Sequence, residues 1–131
     1  MTREPLKLAR IWYGIGVMLL LLVAVLSLVP LSPGSVPVGD KQTHLATYFV
    51  LAGWFSLLVG TRTGLACAIA GLLLFGGALE GLQALTGYRY AEWNDLLANA
   101  AGVLLGAGLY FTPLTRLLRY LDTRLALLFV G

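Results

Sequence analysis

Long apolar runs alternate with short polar interruptions along this chain, and the spacing of the interruptions predicts helices. Ile11 to Val29 is an uninterrupted apolar run of 19 residues, about what a helix needs to cross the hydrocarbon of a bilayer. The run exceeds the apolar core of a signal peptide, and VPLSPGSVP beyond it offers no small-x-small cleavage site. Pro30, Pro33, Gly34, Pro37 and Gly39 then forbid continued helix and predict a stiff, extended loop. Asp40 has the chemistry of a helix cap, and a second span is predicted over 41–60. At about 100° per residue, Asp40, His44, Thr47 and Tyr48 share one arc of it. Thr61 to Gly64 form a turn, and a third span follows over 65–85, with Glu80 and Gln83 three apart on one face.

After a loop at 86–92 (TGYRYAE), a fourth span is predicted over 93–111. Asp95, Asn99, Gly102 and Gly106 make a polar and small stripe that should face another helix. Gly77 with Gly81, and Ala98 with Gly102 and Gly106, are small-xxx-small patterns that let backbones approach closely in lipid. Beyond Pro113, leucines at 114, 117, 118, 121, 125 and 128 form one arc, with Arg116, Arg119 and Asp122 largely off it. That pattern predicts an amphipathic helix over 114–130 lying in the membrane interface, because its charges oppose a fifth span.

Composition strengthens this picture. The 131 residues are 59% hydrophobic and 11% charged, whereas about a quarter of a soluble domain is charged. The expected fold is an all-α integral membrane protein in one domain, 1–131: a four-transmembrane-helix bundle (spans about 11–29, 41–60, 65–85 and 93–111) plus the interfacial helix at 114–130. The single Cys67 lies mid-run and reads as a small buried hydrophobe. Basic residues divide unequally between the two sides. Arg3, Lys7, Arg10, Arg62, Arg116, Arg119 and Arg124 fall on one, Lys41 and Arg89 on the other, which places both termini in the cytoplasm. Membrane orientation accounts for the net charge of +3, so no nucleic-acid role is assigned.

The same topology brings polar residues of three helices to one depth. Asp40, Lys41, His44 and Tyr48 start a helix entering from outside; Glu80 and Gln83 end one arriving there; Asp95 and Asn99 start the next one inward. All lie within about two turns of the external interface, and Arg89 lies in the connecting loop. Charged groups at that depth are costly unless they face a protein interior or a wet cavity. With His44 neutral, Asp40, Glu80, Glu92 and Asp95 exceed Lys41 and Arg89 by two negative charges. Such a site must protonate a carboxylate, bind a cation or open to water. His44, Glu80 and Asp95 are the candidate catalytic residues, suited to general acid–base chemistry. Asp40, Lys41, Tyr48, Gln83, Arg89 and Asn99 are candidate binding residues. A divalent metal on Asp40, His44, Glu80 or Asp95 would satisfy the same charges, but the sequence has no dense ligand motif and leaves metal and cofactor open.

DKQTHLATYFVLA, then Glu80 and Gln83, then RYAEWNDLLANAAGVLLG resemble the signature of the VanZ-like family of small bacterial membrane proteins. The resemblance spans residues 40 to 106 and rests on Asp40-Lys41, His44, Tyr48, Glu80, Gln83, Arg89, Asp95, Asn99, Gly102 and Gly106 in order. Glu92 departs from it, since the family more often carries a small hydroxyl residue there. The family is named for a determinant linked to glycopeptide (teicoplanin) resistance, so the resemblance implies a location and a residue set without a reaction. Two functions follow. One is binding or modification of a membrane lipid or lipophilic glycopeptide at the outer leaflet; the other is a non-enzymatic module that stabilises a partner membrane protein, or a second copy, through its small-residue faces. In the second case the polar cluster is an interhelical hydrogen-bond network.

Overall fold

A computed structural model describes residues 2–30, 32, 40–88 and 91–130, and it is helical throughout with no strand among them. Helix α1 runs Ala9–Leu28, α2 Asp40–Leu58, α3 Arg62–Leu85, α4 Trp93–Ala107 and α5 Leu114–Val130; a 3-10 turn, Gly108–Phe111, extends α4. Local chemistry sets the ends. Val29 is extended because the residue before Pro30 is driven out of the helical region. Thr61 caps α3, its hydroxyl accepting from the Gly64 N–H at 3.0 Å. Gly87, at φ 77°, supplies the left-handed residue that turns the chain after α3. The expected loop over 33–39 lies outside the described residues.

The expected fourth span is α-helical only to Ala107 and tightens into the 3-10 turn. Thr112 is extended before Pro113, which lacks an N–H, and its own N–H and hydroxyl both donate to the Leu109 carbonyl.

Helix α2 lies at the centre, packed against α1, α3, α4, the 3-10 turn and α5. Its contact with α4 is backbone on backbone. A Cβ added at Gly102 would overlap the Leu45 carbonyl and lie 3.0 Å from the Phe49 nitrogen; one at Gly106 would overlap the Phe49 carbonyl and lie 2.8 Å from the Gly53 nitrogen. Ser56 closes the seam, donating to the Ala52 and Gly106 carbonyls. Tyr48, Leu51, Ala52, Leu72 and Val103 form the core around it. By contrast, Gly77 and Gly81 touch nothing that an added Cβ would meet, so the predicted small-residue face of α3 is open in the single chain.

Helices α1 and α3 are each long and apolar enough to cross a membrane; α4 and α5 make a third such length only as a pair bent by 68°. Their outer faces carry exposed Met18, Leu21, Val25, Leu74 and Leu85, a surface suited to lipid. Helix α2 is less apolar because it begins with Asp40, Lys41, Gln42, Thr43 and His44 and has four helices around it. Cys67, expected to be buried, is exposed on α3, because the helix there packs through Leu65 and Ile69 against Ala107 and Tyr110 and Cys67 lies off that face.

Asp122 is the larger departure from the hydrophobic pattern. It lies largely off the leucine arc of α5, yet it is 2% exposed. Its carboxylate accepts from the Lys7 N–H at 2.7 Å, the Leu8 N–H at 2.9 Å and the Trp12 indole at 2.8 Å. Helix α1 starts at Leu8 without a side-chain cap of its own, so Asp122 on α5 supplies the missing acceptor and the negative charge that a helix N-terminus favours. Burial alone would raise the Asp122 pKa; these three hydrogen bonds and the nearby Lys7 charge outweigh it and hold the carboxyl below its ordinary value. Arg3 lies 3.7 Å over the Tyr110 ring and its N–H donates to the Gly60 carbonyl at 3.0 Å, while Arg119 donates to the Glu4, Leu57 and Thr115 carbonyls.

Candidate functional site

Packing at Gly102 decides where the polar residues meet. Because α4 has no side chain there, it comes against the α2 backbone at Leu45, next to His44, and brings Asn99 and Asp95 up to the imidazole. The His44 Nδ1 is 2.9 Å from Asn99 Oδ1 and 3.8 Å from Glu80 Oε1. On the other side of the ring, Nε2 is 3.7 Å from Asp40 Oδ1 and 3.8 Å from Asp95 Oδ2. One imidazole therefore touches residues of α2, α3 and α4.

Burial grades across the cluster. The Glu80 and Asp95 side chains are 5% and 6% exposed and that of His44 16%, whereas Asp40 is 73% exposed. Glu80 Oε2 and Asp95 Oδ1 are buried without a hydrogen-bond partner among the described residues. A packing network normally satisfies such atoms, because each one left unpaired costs about 1–3 kcal/mol. The site is thus closed on the Glu80 side and open on the Asp40 side.

The other sequence candidates take distinct places. Lys41 pairs with Glu92 at 3.7 Å, both half exposed, at the rim. Tyr48 is buried one turn below His44, with its ring against Phe75 at 6.4 Å between centroids. Gln83 donates to the Ser27 carbonyl at 2.7 Å and so ties α3 to the end of α1 rather than joining the imidazole cluster. Arg89 lies outside the described residues. Gly76 was not among the candidates, yet a Cβ there would lie 3.2 Å from both the Tyr48 ring and the Asn99 amide. Its place in the glycine-rich run of α3, one helical turn before Glu80, was the available signal.

Chemically, an imidazole flanked by three carboxylates can relay a proton or share a cation with them. Comparison of the chain with family models, with curated proteins and with solved structures found no match.

Proposed function

We propose that this chain is a VanZ-like multi-pass protein of the bacterial plasma membrane, crossing four times with both termini in the cytoplasm. Its polar cluster opens at the outer leaflet and binds or modifies the head group of a cell-envelope lipid or a lipid-tailed glycopeptide. The observation that carries this reading is the buried Glu80 and Asp95 oxygens beside His44 that lack partners among the described residues. Unspent acceptors within one solvent-reachable cluster suit a ligand better than a finished structural network. Lys41, with Arg89, offers the charge to take a phosphate or carboxylate by charge-assisted hydrogen bonds, while the tail stays in lipid beside the helices.

The open Gly77 and Gly81 face of α3 supports the second reading, a module that docks on another membrane protein or on a second copy. One experiment separates the two. Cells expressing wild type, Glu80→Gln or His44→Gln are scored for teicoplanin resistance, and each purified protein is melted in detergent. The lipid-site reading expects lost resistance with a nearly unchanged melting temperature, since Gln keeps the shape of Glu80. Full resistance in both variants, or collapse of both folds, would favour the module.

A further inference from the structure

We infer that Asp40, His44 and Asp95 form a site for one divalent transition metal ion, zinc above all, at the outward mouth of the cluster. The inference begins with the imidazole tautomer. An amide oxygen only accepts, so the 2.9 Å contact with Asn99 Oδ1 puts a ring proton on Nδ1, and in the neutral ring the Nε2 lone pair is then free to bind a metal. That lone pair faces two carboxylates, Asp40 Oδ1 at 3.7 Å and Asp95 Oδ2 at 3.8 Å. Three electron-rich atoms turned toward one point repel each other unless a proton or a metal ion lies between them, and a metal ion can engage all three at once. A second feature points the same way: Asp95 is 4% exposed and its Oδ1 has no partner among the described residues.

The dimensions agree with the assignment. The three ligand atoms all lie within 4.8 Å of one another. A tetrahedral zinc ion with bonds of about 2.1 Å needs its ligand atoms roughly 3.4 Å apart. The two imidazole–carboxylate separations close by a few tenths of an ångström, and Asp40, exposed at the start of α2, is free to supply the remaining movement. One imidazole and two carboxylates suit zinc or manganese better than magnesium, which favours oxygen alone. A hydrogen-bond acceptor on the distal ring nitrogen is the usual support of a metal-bound histidine, and Asn99 fills that role, with Glu80 Oε1 behind the same nitrogen. Three protein ligands leave a fourth position toward the outside, where water or a phosphate oxygen can bind. An ion there acts as a Lewis acid on that oxygen.

The inference rests on the cluster being a ligand site, but not on any lipid entering it. Zinc and manganese binding are therefore measured by equilibrium dialysis on the full chain in lipid-free detergent, after chelator treatment. One ion per chain is expected, and cobalt(II) in its place should give the intense visible bands of a four-coordinate centre. Asp40→Asn, at an exposed position, should weaken binding at least tenfold without lowering the melting temperature of the ion-free protein. Asn99→Ala should weaken it about 10- to 100-fold, as loss of such a support does. Wild type that binds neither ion more tightly than Asp40→Asn, or cobalt that stays six-coordinate, would overturn the site and leave His44 as a hydrogen-bonding partner of its neighbours. Metal binding with resistance unaffected by Glu80→Gln would instead retain the metal site and sink the lipid reading.

Discussion

Glycine does opposite things at two places in this chain. At Gly106 the missing side chain is filled by the backbone of α2, so Gly106→Ala should force the helices apart and cost about 1–3 kcal/mol, as overpacking does. Gly77 faces open space, and Gly77→Ala should be neutral or stabilise by up to ~1 kcal/mol through helix propensity. Unfolding of both variants in detergent checks the contrast; equal costs would mean that α3 is covered by a partner. Asp122 gives a prediction in pH. Its folded pKa is depressed, so its stabilisation is present above the ordinary carboxylate value of about 3.9 and is lost as pH falls through the lower folded value. The wild-type melting temperature should therefore drop below about pH 4 more steeply than that of Asp122→Asn, which should already be less stable at neutral pH by roughly 1.5–3 kcal/mol. Parallel curves would refute the assignment. Of these residues, Gly102 and Gly106 were legible in the sequence because their four-residue spacing continues the stripe of Asp95 and Asn99. Asp122 was not, because its partners are backbone N–H groups, which carry no sequence signature.

The helices lie close to where the hydrophobic pattern puts them, α1 at 9–28 against an expected 11–29 and α5 at 114–130 as expected. Pattern reads long apolar elements well, since prolines and glycines mark their ends. It could not say which helix is central, because burial by protein and burial by lipid select the same residue types. The site followed the same division. His44, Glu80, Asp95 and Asn99 meet as their positions near three helix ends led one to expect, whereas the turn of Gln83 toward Ser27 depends on how α3 rotates against α1. The bend of 68° after Phe111 bears on whether α5 lies along the surface or completes a broken span. With exposed Cys67 replaced by serine, a single cysteine at Gly87 should react with an impermeant thiol reagent on whole cells, and one at Thr123 only after permeabilisation. Outside labelling at Thr123 would mean that α5 returns to the outer side; no labelling even after permeabilisation would make α4 and α5 one interrupted crossing.

Over the whole molecule, polarity collects at two ends with an apolar waist between them. One end holds Glu80 and Asp95 around His44, each with a buried oxygen that lacks a partner among the described residues; the other holds a knot in which Asp122, Arg3 and Arg119 bond backbone groups, although Arg3 Nη1 is also left without a partner among the described residues. The knot joins the start of the chain to α5. The knot also fixes an order of events during synthesis. Trp12 precedes Asp122 by 110 residues, so at about 5–20 residues per second the start of α1 is made on the order of ten seconds before the carboxylate that will cap it. Through that interval the N–H groups of Lys7 and Leu8 lack this acceptor. Trp54 and Gln83 are made earlier and can tie α1 to α2 and α3, so the bond from α5 fastens the start of α1 last, much as a keystone is set after the arch it holds.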